Sequence, residues 1–183
     1  MQLLFSPAGD GRCRTRVLRD DGVVLEMRSY SRKHRVPHDL AHAAVERELR
    51  LCAGVFGCVA AGAVFSSMRV LAGVPRHDAA ARSSRVIKAH ARSIALAEVL
   101  SGVVHEAVED PAAHSLFQRA REGWGIVEEG PFPYAPAAVA AAAETLRALA
   151  DRWSTLAVGA ELALAWPRDL AAPVPAARRR AVR

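Results

Sequence analysis

The stretch RVPHDLAHAAVERELR, Arg35 to Arg50, places two histidines four residues apart, an aspartate directly after the first and a glutamate four residues after the second. On a helix turning 100° per residue, with His38 at 0°, His42 falls at about 40° and Glu46 at about 80°. Val45 and Leu49 fall at about −20° and 20°, so the imidazoles share the face that these apolar residues would bury. Two buried imidazoles without partners cost free energy, whereas one ion satisfies both, and histidines at i and i+4 suit Zn or Fe. The expected centre has His38, His42 and Glu46 as metal ligands. Asp39 is the catalytic candidate, a carboxylate placed to orient an imidazole or accept a proton. With three ligands on one helix, the fourth position falls to water, substrate or a residue such as His105. The competing reading of the same residues is a polar patch that holds no metal.

The HDLAH segment, His38 to His42, resembles the HExxH helix of the zincin metalloproteases, with Asp39 where those enzymes carry the glutamate that acts as base. It is also similar to the zinc-binding HDxxH signature of the mostly helical accessory protein family of ubiquinone biosynthesis, with His38, Asp39 and His42 on the signature positions. That family has a further glutamate downstream, at the position of Gly54 here, and Glu46 would have to substitute for it. The resemblance spans one helix and implies metal binding without a reaction.

A second constellation follows at Glu98, His105 and Glu109, spaced seven and four, within about 60° of one another on one side of a helix. These three are further candidate ligands. Facing His38 and His42, they would complete the ligand set of zinc or non-haem iron sites built between helices. Facing water, they would form a solvated stripe. His90 and His114 stand alone and read as structural or exposed.

The approach to Pro37 is basic. RSYSRKHR, Arg28 to Arg35, offers Arg28, Arg32, Lys33 and Arg35 as anion-binding residues just before a helix N-terminus. The expected substrate of a metal-assisted enzyme is therefore a small anionic molecule. The same arginines, with Tyr30, support the alternative of a non-enzymatic, metal-free basic protein that binds nucleic acid or a protein partner. No RNA-binding or helix-turn-helix motif accompanies them, and no P-loop, dinucleotide fingerprint or nucleophile elbow is present.

The elements that must position these residues follow from composition and pattern. At 183 residues and 51% hydrophobic, the chain suits a single domain with a sizeable core, and with only 5% aromatics that core must be built from small side chains suited to packed helices. The net charge of +6 is carried by arginine, lysine occurring only at Lys33 and Lys88. Three cysteines and no signal-peptide pattern point to a reducing, cytoplasmic setting. The uncharged run from Leu51 to Met68 is near the minimum for a bilayer span, but its glycines and serines favour a buried helix over membrane insertion.

Alternation in Cys13, Thr15 and Val17, then in Val23, Leu25 and Met27, predicts a hairpin turning at Asp21-Gly22. Pro37 opens a helix reaching about Ala53; further helices are expected from about Phe56 to Leu71, from His77 to Asp110 with a continuation through Glu122, and from Ala137 to Trp166 with a bend near Gly159. The expected fold is mainly α, a multi-helix bundle with a small N-terminal β-hairpin over residues 1–170, followed by a disordered basic tail, 171–183.

Overall fold

The computed structural model describes residues 1–10, 12–28, 34–110 and 115–176. The hairpin at Asp21-Gly22 forms because Gly22 supplies the left-handed conformation, φ +80°, while Asp21 Oδ1 accepts the Val23 N–H at 3.2 Å. Its strands are β2, Cys13–Leu18, and β3, Val24–Arg28, paired antiparallel from Arg14 opposite Arg28 to Leu18 opposite Val24.

The hairpin is the middle of a larger sheet. β1, Gln2–Pro7, lies beside β2; β4, Met68–Ala72, lies beside β3; and β5, Leu162–Ala165, closes the other edge against β1. All neighbours are antiparallel, in the order β4-β3-β2-β1-β5. With six helices among the described residues, this is an α+β fold, which overturns the expected mainly α bundle with a small hairpin. The pairing register puts Leu3, Phe5, Thr15, Val17, Leu25, Met27, Met68, Val70, Leu162 and Leu164 on one face, toward the helices. Arg14, Glu26, Arg28 and Arg69 share the other face, where the Glu26 carboxylate accepts from Arg69 at 2.6 and 3.0 Å.

The helices are α1, His38–Glu48; α2, Val55–Ala60; α3, Ala79–Ala89; α4, Ala91–Glu109; α5, Leu116–Val127; and α6, Pro136–Ser154. All four expected helices are shorter than predicted. α1 ends at Glu48 rather than near Ala53, Arg50 turning the chain at φ +54°. The run from Leu51 to Met68 is helical only over α2, because Gly62 at φ +106° turns the chain, which enters β4 at Met68. The long third helix is two, separated at His90, whose φ of −112° is not helical. The last helix ends at Ser154, and Gly159 at φ +85° turns the chain into β5, so the expected bend is a change of element. The expected tail also begins too early. Ala172 is buried and donates its N–H to the Gly57 carbonyl at 3.0 Å; residues 177–183 lie outside the described residues. No helix among the described residues is long and apolar enough to cross a membrane.

Helix α1 is buried nearly all round, from Leu40 to Glu46, and packs against α4 and α6. Its alanines at 41, 43 and 44 permit that close approach. The remaining core joins Phe5 and Leu25 of the sheet to Phe56, Leu100 and Leu146 of the helices. This packing holds the N-terminal half of α1 between the sheet and α4, and so fixes what His38, Asp39 and His42 meet.

Candidate metal centre

Pro37 precedes α1 with φ −61°, and its carbonyl accepts the Leu40 N–H at 3.0 Å, so the helix starts at His38. One turn later His42 is 4% exposed, facing α4. There Glu98 Oε2 lies 3.1 Å from His42 Nε2 and 3.5 Å from His38 Nε2. One ligand atom from each of the three residues lies within 4.8 Å of the others. Donors 2.0–2.1 Å from a tetrahedral ion stand about 3.3 Å apart, so both separations to Glu98 suit a shared ion.

The outer nitrogens determine which ring atoms face that point. A backbone carbonyl only accepts, so His105 Nε2, 2.8 Å from the Val36 oxygen, carries a proton and donates it. In the neutral ring this leaves a lone pair on His105 Nδ1, which faces His38 Nδ1 at 3.2 Å. His38 Nδ1 is then the donor and His38 Nε2 is left toward Glu98. Likewise His42 Nδ1 donates to Glu46 Oε1 at 3.0 Å, which aims His42 Nε2 at the same carboxylate. Burial lowers the pKa of His105, in keeping with a neutral ring. Burial also opposes charge on His42, but Glu46 and Glu98 outweigh it and push its pKa up to about 10. Where their Nε2 atoms carry protons, in the absence of an ion, His38 and then His42 donate to Glu98 and hold its carboxyl well below the usual range.

Glu46 occupies a different place from the third-ligand position expected of it. It is fully buried behind His42, and its two oxygens accept the N–H groups of Val55 and Phe56, each at 2.9 Å. It therefore caps α2 while orienting His42. A Cβ at Gly54 would stand 2.5 Å from the Glu46 carboxyl carbon, so the absence of a side chain at Gly54 makes this packing feasible. Glu98, on α4, supplies the carboxylate beside the two histidines. The reason is directional: at 80° from His38, Glu46 points toward α2 rather than α4.

Asp39 accepts a hydrogen bond from Thr15 Oγ1 of β2 at 2.7 Å and lines the cavity beside the histidines, rather than bonding to either ring. Burial raises its pKa despite the bond from Thr15. The cavity, about 250 Å³, has apolar walls of Met27, Phe56, Phe65, Met68 and Ile94. Among the described residues, no lysine or arginine lines it.

The remaining candidates are dispersed. Glu109 accepts the Val36 N–H at 2.7 Å and lies near His105 and His34, a second group able to hold an ion, which helical spacing does not show because His34 precedes the helix. Arg28 lies on the outer face of the sheet beside Glu26, away from the histidines. Arg35 is exposed and its Nε is 3.4 Å from Glu109. Arg32 and Lys33 lie outside the described residues, as does His114. The expected basic entrance thus loses Arg28 to the alternation of β3. No family model matches the chain, and no curated protein or solved structure matches it.

Proposed function

We propose that the protein binds one Zn²⁺ or Fe²⁺ ion through His38 Nε2, His42 Nε2 and a Glu98 oxygen, and uses it in metal-assisted chemistry on a small molecule. The observation that carries this reading is the convergence of two imidazole Nε2 atoms on one carboxylate, each ring oriented by a partner at its other nitrogen. Two histidines and a carboxylate leave coordination positions for water or substrate. Bound there, the ion would polarise a substrate oxygen or activate water. Asp39 would take up or return the proton. A lining that contains Asp39 and Glu98, and no lysine or arginine among the described residues, favours a neutral substrate over the anionic one expected from the basic approach.

Elemental analysis of untagged protein after loading with Zn²⁺ or Fe²⁺ tests the site. One equivalent is expected in the wild type, with Glu98→Ala and His42→Ala retaining little. Equal, negligible metal in all three refutes the proposal. A second, metal-free reading has its own support: a protonated His42 between Glu46 and Glu98 satisfies both ring nitrogens without an ion. That reading expects no metal and is separated from the first by the same measurement.

A further inference from the structure

A second cavity, of about 600 Å³, lies between α3 and the β3–β4 side of the sheet. Val23, Val64 and Val70 line it from the sheet side, and Ala79, Ala80 and Ile87 from α3. Val70 is 45% exposed, although its register places it on the face that elsewhere carries the core. The rim is cationic: Arg19, Arg76, Arg82 and Lys88 line the cavity, and among the described residues no aspartate or glutamate does. Arg19 and Arg76 are paired with Asp21 and Asp78. Arg82 has no carboxylate partner among the described residues; its Nε donates to the Ala61 carbonyl at 2.8 Å, which anchors the guanidinium and leaves its terminal N–H groups free. This anchoring depends on Gly62, where a Cβ would stand 2.8 Å from Arg82 Nε.

Arg19, Arg76 and Arg82 also border an adjoining cavity of about 420 Å³. Its two acids are already engaged, Asp21 by Arg19, and Asp20 by the N-terminal amine at 2.6 Å. Three arginines therefore meet where an apolar channel opens.

We propose that this groove binds a monomeric amphipathic carboxylate, with its hydrocarbon chain along Val23, Val64, Val70 and Ile87 and its head group at Arg76 and Arg82. Charge selects the head group, since a planar guanidinium can pair with both oxygens of a carboxylate. The apolar walls select the chain, and the volume, roughly twenty waters' worth, accommodates one of a dozen carbons.

Calorimetric titration with dodecanoate below its micelle concentration tests the proposal. One site per chain is expected, with octanoate at least tenfold weaker, because each fully buried methylene is worth about fourfold in affinity. Dodecyltrimethylammonium, which has the same chain and opposite charge, should bind far more weakly. Arg76→Gln, on the exposed rim, should weaken dodecanoate several-fold while sparing dodecanol, and Ala80→Trp should block both. Arg82→Gln should act like Arg76→Gln, with circular dichroism confirming its fold. Octanoate binding as tightly as dodecanoate, equal binding of the cationic detergent, or no effect of Arg76→Gln and Ala80→Trp would each overturn the assignment. So would binding to anionic phospholipid vesicles without affinity for free dodecanoate.

Discussion

Replacing Glu46 with glutamine keeps the shape of the side chain and removes its charge, at a position where both oxygens are used. Oε1 accepts from Val55 N–H and His42 Nδ1–H, and Oε2 from Phe56 N–H. With the amide oxygen in the first place, the amide NH₂ opposes the Phe56 N–H and leaves a buried donor unsatisfied, at a cost of about 1–3 kcal/mol. The bond to His42 also loses its charge assistance. Breaking a buried ionic contact by neutralising one partner costs about 3–5 kcal/mol in total, a large part of a typical stability of about 5–15 kcal/mol. In a chain of this size that loss lowers Tm by roughly 10 °C. Urea and thermal unfolding should be measured in chelator, because capping of α2 does not require an ion. A loss below about 1 kcal/mol in chelator-treated protein would refute the assignment of Glu46 as cap and orienter. If Glu46 is instead a ligand, its replacement should act mainly on the metal-loaded form.

Gly54→Ala should destabilise through the same contact, since its Cβ would displace the Glu46 carboxyl, and combined with Glu46→Gln it should cost less than the two separate losses together, as a double-mutant cycle would read. Glu26 is buried, but hydrogen bonds from Arg69 and the charge of Arg14 keep its pKa below the usual 4.5. Its contribution to stability is therefore full above pH 4.5 and lost as pH falls through the native value; urea titrations at pH 3 to 6 should show a shallower acid slope for Glu26→Gln. If the metal site forms, Zn²⁺ at a hundredfold excess over its Kd should raise stability by about 2.7 kcal/mol, and chelation should reverse this, with no response in Glu98→Ala.

Features set by neighbouring residues were legible in the sequence. The hairpin at Asp21-Gly22 needs a positive φ that glycine supplies locally, and α1 shows itself through Pro37 and the spacing of His38, His42 and Val45. The other strands gave no such signal. β1 buries Leu3, Leu4, Phe5 and Ser6 in succession, so it lacks a two-residue alternation, and β5 is four residues at the end of an alanine-rich run. What makes them strands is pairing with residues far along the chain, Leu3 with both Val17 and Leu164. The same limit applies to the candidate centre. Helical spacing placed the two histidines together, but the choice between Glu46 and Glu98 as their shared carboxylate depends on where α2 and α4 lie around α1. Glu46 met backbone donors at the start of α2 and was drawn away, while α4 brought Glu98 across. A sequence specifies which directions its side chains take from a helix, and only the packing of the other elements decides what each direction meets.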